Sequence, residues 1–237
     1  MTAVADVAFG SSSPGRGVRG WEVAAFAAAS AIAACVSLSL IWAGTPTYRA
    51  IAEENPSVRF VRLDTGEPAE MSVESLARFH DGWLAYVTGR HGLQPAETAP
   101  WFTDEERRHM ADVRRVFVSA ELLAVAGAVL LAVLARRARR RGALARLVRA
   151  GTVTAALGVG LLGTAFALWF DSVFLLFHQI VFPQGNFLFP PGSNLLVIYP
   201  EAYWYGVTLR IAASFLALAA VVAGAAHITL LRSLPPR

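Results

Sequence analysis

Two histidines carry the chemistry this sequence can do. His109 stands in Arg107-Arg-His-Met-Ala-Asp-Val113, and His178 closes Asp171-Ser-Val-Phe-Leu-Leu-Phe-His178. Asp112 follows His109 by three residues, a step that on a helix puts the carboxylate on the imidazole's face, where it can hold the ring's tautomer and orientation. Asp171 precedes His178 by seven residues, which returns to nearly the same face about 10 Å along the axis. An imidazole takes and gives a proton near neutrality. Two of them at one depth therefore suit a group transfer. One accepts a proton while the other stabilises a developing oxyanion or donates to a leaving group. A single histidine at a membrane interface is more often a polar anchor, so it is the pairing that favours catalysis. Of the other histidines, His80 and His91 lack such context and read as solvated, and His227 reads as structural.

The elements that must position this pair are transmembrane. The chain is 55% apolar and 16% charged, with a mean hydropathy of +0.48, and its apolar residues come in long blocks. A hydrocarbon core about 30 Å thick needs roughly 20 apolar residues of helix. Residues 21–42, 116–135, 151–177 and 205–231 qualify, and each should be helical throughout, since lipid leaves no backbone group a partner outside the helix. Glycines such as Gly127, Gly158 and Gly163 let such helices approach closely. The single cysteine, Cys35, excludes an intramolecular disulfide and a cysteine-ligated metal site.

Orientation follows the arginines. Arg16 and Arg19 precede the first span, Arg136, Arg137, Arg139, Arg140, Arg141, Arg146 and Arg149 crowd the short connection between the second and third, and Arg232 and Arg237 follow the fourth. Both termini are thus expected in the cytoplasm and segments 44–115 and 178–204 outside. The first span is expected to be kept as an anchor, not cleaved as a signal peptide. Residues 1–20, rich in Ser, Gly and Pro, read as a disordered cytoplasmic terminus, and 21–237 as the membrane domain. The basic connection suits anionic lipid head groups, not nucleic acid.

The outer segments have their own patterns. In 71–86, Leu76, Phe79, Trp83 and Tyr86 recur at helical steps, with Ser72 and Ser75 as possible N-caps. Such a helix either lies along the membrane surface or packs on the bundle. Thr103-Asp-Glu-Glu106 resembles a capping box opening a helix that runs on into the second span, which puts His109 just above the hydrocarbon. Segment 178–204 is apolar and aromatic with Pro and Gly at intervals, a composition that suggests a re-entrant-like element lining a pocket. Intramembrane charges usually face the interior. Asp171 and Arg210 are expected to pair, with Glu121 as a competitor for the arginine. The expected fold is therefore an all-α membrane protein, a four-transmembrane-helix bundle with an extracytoplasmic cap and a re-entrant-like aromatic loop.

His-x-x-Asp-Val entering the second span resembles the bacterial lipoprotein intramolecular transacylases. So do Leu-Phe-His at the end of the third span, the aromatic loop after it, and Leu-Leu-Val-Ile-Tyr-Pro-Glu-Ala-Tyr-Trp. The resemblance covers nearly all the chain after Gly20. It implies an enzyme that moves the sn-2 acyl chain of a lipoprotein's diacylglyceryl-cysteine onto that cysteine's α-amine, leaving a lyso-lipid. It implies His109 and His178 as the catalytic pair, with Asp112, Asp171, Glu201 and Arg210 orienting or supporting, and neither metal nor cofactor. Partners would be membrane lipids and diacylglyceryl-modified lipoprotein N-termini in a bacterial cytoplasmic membrane. The family pattern has Asp before its Leu-Ile run and Trp in the aromatic loop, where this sequence has Asn194 and Phe187 or Phe189. With arginine as the only strongly basic residue type, this points to a divergent, actinobacterial branch. Rival readings are a non-catalytic membrane assembly or lipid-binding protein, a haem- or quinone-binding helix bundle with His109 and His178 as axial ligands, and, last, an intramembrane protease.

Overall fold

In the computed structural model, which describes residues 17–54, 58–90, 98 and 100–233, the apolar blocks are helices, as backbone pairing in lipid demands. In chain order the elements are α1 (Gly20–Trp42), α2 (Thr45–Glu53), β1 (Val58–Val61), β2 (Pro68–Met71), α3 (Val73–Val87), α4 (Asp104–Arg140), α5 (Leu144–Leu168), α6 (Phe170–Val181), α7 (Asn194–Ile198) and α8 (Glu201–Arg232). Four of these, α1, α4, α5 and α8, are long and apolar enough to cross a membrane. Their outward side chains are apolar: Leu161 is 75% exposed and Val221 70%. A water-facing helix would carry charge there, so these faces are built for lipid. Most of 1–20 and His91 lie outside the described residues.

Helix α1 is the spine of the bundle, packed against α4, α5 and α8, while α5 runs along α8. Small residues permit this closeness. A side chain at Gly151 of α5 would put its Cβ 2.4 Å from the Phe26 ring of α1, and one at Gly127 would stand 3.1 Å from the Ala29 carbonyl. At the arginine-rich end, Glu22 is buried. It accepts from the Arg19 backbone N–H at 3.1 Å and pairs with Arg141 at 2.6 Å, tying α1 to the α4–α5 connection.

Helix α4 opens with the expected capping box: the Thr103 side chain accepts from Glu106 N–H, and Glu106 accepts from Thr103 N–H. Its 37 residues give about 55 Å, some 25 Å more than the hydrocarbon needs. His109 is carried on that overhang. The third block departs from expectation. It is not one uninterrupted helix over 151–177; it starts at Leu144 and breaks at Trp169, whose φ of −136° and ψ of 46° leave the helical region. No Pro or Gly marks the break. With it, Phe170 turns inward, 7% exposed, against Phe174 and Tyr205, and α6 starts as a separate helix bearing both Asp171 and His178.

The cap combines α2, the antiparallel β1–β2 hairpin (Val58 opposite Met71, Val61 opposite Pro68), α3 and α7. The hairpin is a small addition to an otherwise helical chain. Ser72 caps α3 by accepting from Ser75 N–H. The apolar stripe of α3 packs inward: Leu76, Trp83 and Val87 are each 2% exposed or less, so this helix belongs to the core of the cap and is not laid on the membrane surface. His80 overturns its expected solvation. It is fully buried on that stripe, stacked on Tyr48 with ring centroids 4.3 Å apart. Its Nε2 donates to the Ala43 carbonyl at 2.7 Å, so its Nδ1 accepts from the Tyr199 hydroxyl at 3.3 Å. The signal was its place four residues after Leu76 and three before Trp83.

Candidate active site

Each histidine reaches the site from a different element. The N-terminal overhang of α4 supplies His109, and the last turn of α6 supplies His178. Their ring centroids lie 6.1 Å apart with planes 23° from parallel. The pair stands in an aromatic cage: Phe182 and Phe189 against His109, Phe174 and Phe187 against His178. His178 Nδ1 lies 2.8 Å from the Phe174 carbonyl oxygen. A carbonyl only accepts, so Nδ1 carries the hydrogen and Nε2 keeps a lone pair. His109 is 7% exposed, and its Nδ1 is buried with no hydrogen-bond partner among the described residues.

Asp112 lies near His109 but does not hydrogen-bond to it among the described residues. Its carboxylate pairs with Arg115 through one oxygen; the other accepts from Gln184 Nε2 at 2.7 Å and Asn186 Nδ2 at 2.6 Å. The side chain expected to orient the imidazole thus ties down the aromatic loop above it. Glu106, read from sequence only as half of a capping box, also holds this segment. Its second oxygen accepts from Ser193 Oγ at 2.8 Å and Leu195 N–H at 3.1 Å. Asn194 donates to the carbonyls of Val61 and Trp101, both at 2.7 Å, and accepts from Val61 N–H at 3.2 Å. Three polar residues therefore anchor a segment whose own regular structure is a five-residue helix. Asn194 was signalled by its polarity at the head of an apolar run, whereas Glu106 and Asp112 stand in a charged stretch that singles out neither.

Below the rings opens a cavity of about 870 Å³ with predominantly apolar walls. Helices α1, α4, α6 and α8 wall it, and Phe187 to Phe189 and Leu195 roof it. Asp171 and Glu201 share the wall, and their carboxyls face one another. The expected pairing of Asp171 with Arg210 is not formed. Among the described residues no ion pair joins them, and the Arg210 guanidinium folds back over Gly206 of its own helix. Asp171 begins α6 and Glu201 begins α8, so each carboxylate occupies the helix end that favours negative charge. Glu121 has a buried carboxylate oxygen without a hydrogen-bond partner among the described residues and forms no ion pair with the arginine either.

Fold and site together define a multi-pass membrane protein with a paired-imidazole centre at the mouth of an apolar cavity. The family model described as lipoprotein intramolecular transacylase Lit matches residues 32–204, a span that contains both histidines and the loop between α6 and α8. The chain belongs to this family and is an enzyme, an intramolecular transacylase. Among solved structures it is similar to the membrane-integral lipoprotein intramolecular transacylase Lit from Bacillus cereus, with a TM-score of 0.73 at 14% identity, covering 90% of this chain and 95% of that one. A histidine-to-arginine variant of the same protein gives 0.69 at 13% identity, covering 90% and 92%. At such identity these likenesses show the shared fold. Among curated proteins none matches.

Proposed function

We propose that His109 and His178 are the catalytic pair of an O-to-N acyl transfer, from the sn-2 position of a lipoprotein's diacylglyceryl-cysteine to that cysteine's α-amine. The observation that carries this reading is the meeting of two imidazoles, 6.1 Å apart, on one apolar cavity. The acyl chains occupy the cavity, and the polar head of the substrate lies under the aromatic loop.

The α-amine reaches the site as an ammonium and must lose two protons. His109 takes the first, which frees the nitrogen lone pair to attack the sn-2 ester carbonyl. His178, with its Nε2 lone pair, takes the second as the carbon–nitrogen bond forms. The imidazolium of His109 then protonates the sn-2 oxygen as the carbon–oxygen bond breaks. The products are an amide and a free sn-2 hydroxyl, and the proton on His178 passes to water. Nucleophile and ester belong to one molecule, so holding it in the reactive shape supplies much of the rate.

The histidine end faces outward. Arg136, Arg137, Arg139 and Arg140 in the last turns of α4, with Arg141 just after them, lie about 45 Å from His109 by helical rise, and such clusters mark the cytoplasmic side. This supports a bacterial cytoplasmic membrane enzyme with both termini inside. Mass spectrometry of lipoprotein N-termini from a host expressing the chain tests the reading. N-acylated lyso forms are expected, and they should disappear with His109→Ala or His178→Ala. Unchanged diacylglyceryl N-termini with the wild-type chain refute it.

A further inference from the structure

Two buried polar atoms at the site have no hydrogen-bond partner among the described residues: His109 Nδ1 and Asn186 Oδ1. The Asn186 amide lies against the His109 ring. Which way that amide points is fixed from its other side. A carboxylate accepts and cannot donate, so Asp112 Oδ2, 2.6 Å away, must face the Asn186 nitrogen. The amide oxygen is left as the free acceptor. Were Asn186 to donate to Nδ1 through its second amide hydrogen, its oxygen would stay buried and unsatisfied, which is disfavoured. A hydrogen bond from Nδ1–H to Oδ1 satisfies both atoms at once. Such bonds are often open without substrate and tighten when it binds.

Resting on the proposed role of the histidine pair, we infer that Asn186 is a positioning residue. It accepts the Nδ1 hydrogen of His109 and is itself held by Asp112, so that His109 works through Nε2. Asp112 acts on the ring at one remove, through the loop. Both imidazoles then present the same atom to the substrate, His178 by its bond to a backbone carbonyl and His109 by its bond to a side-chain amide. Asn186 belongs to the loop that roofs the cavity, so the loop's seating and the ring's tautomer are set by one residue.

The test reads the tautomer directly and separately from turnover. In full-length protein in detergent or nanodisc, ¹⁵N-histidine NMR, assigned with a His109→Gln reference, should show His109 protonated at Nδ1. In Asn186→Leu that signature should shift towards the Nε2-protonated form. Acyl transfer should fall by up to about 100-fold, the scale of a catalytic group held slightly out of place, mainly in kcat. Asp112→Asn/Asn186→Asp reverses donor and acceptor while keeping an acceptor at the ring, and should restore the Nδ1–H signature and part of the rate. An unchanged His109 tautomer in folded Asn186→Leu, or an Nε2–H form in the wild type, overturns the inference. A chain with the expected tautomers that transfers no acyl group leaves this inference standing and sinks the functional reading instead.

Discussion

Replacing His80 by Phe should remove one defined part of the loss of stability that the wild type suffers on acidification. His80 is fully buried, and that burial pulls its pKa from 6.5 down to about 4, against the small opposing effect of its bond to Ala43. The ring is therefore neutral in the fold and protonates more readily in the unfolded chain. Its contribution is complete above pH 6.5 and is lost as the pH falls from 6.5 towards 4. A shift of that size corresponds to about 3 kcal/mol. For a chain of this length it amounts to about 6–12 °C in Tm. Its aromatic neighbours Tyr48 and Tyr199 have pKa values raised by burial, so neither ionises in this window. The remaining carboxylates titrate in both proteins and cancel in the difference. His80→Phe keeps the stack on Tyr48 but leaves the Tyr199 hydroxyl without its acceptor, costing about 1–3 kcal/mol at pH 7.5. Melting curves of detergent-solubilised wild type and variant at half-unit steps from pH 7.5 to 4.5 should show that gap shrink and close. A constant gap across the range would mean that His80 is not held neutral by burial.

Three further outcomes follow from particular contacts. Glu106→Ala strips the partner from Thr103 N–H, Ser193 Oγ and Leu195 N–H and should lower stability by at least about 3 kcal/mol; Glu106→Gln should recover part of this, and a melting point unchanged by the alanine would refute the anchoring role. Gly151→Ala drives a methyl into the Phe26 ring, so it should cost about 1–3 kcal/mol in a melt and be relieved by adding Phe26→Leu. Arg210 forms no ion pair among the described residues, so Arg210→Gln should stay within about 0.5 kcal/mol of wild type; a severe loss of folded protein would show that an Asp171 pair forms after all.

Composition and periodicity alone placed four apolar blocks in order and singled out two histidines worth joining, though not the break that splits the third block. Lipid forces long apolar blocks into helices, and a heptad step along one helix is local geometry, so Asp171 and His178 fall on one face whatever surrounds them. The capping box at Thr103 was equally legible, because it is a contact between residues three apart. Only tertiary structure decided which partners these residues meet. Asp112 has the right spacing for His109, yet its oxygens are taken by Arg115, Gln184 and Asn186, and no local rule ranks such competitors. Asp171 and Arg210 were expected to meet, but Asp171 faces Glu201 at the start of α8, about 13 Å of helix from Arg210, and no local rule gives the offset or rotation of one helix relative to another. His80 looked solvated because its partners, the Ala43 carbonyl and Tyr199 hydroxyl, lie 37 and 119 residues away. The break at Trp169 has no local signature, since it serves the burial of Phe170 in the packed bundle. Contacts within a few residues are written in the chain's periodicity; contacts between elements depend on how whole faces pack, and that is settled only when every element competes for the same space.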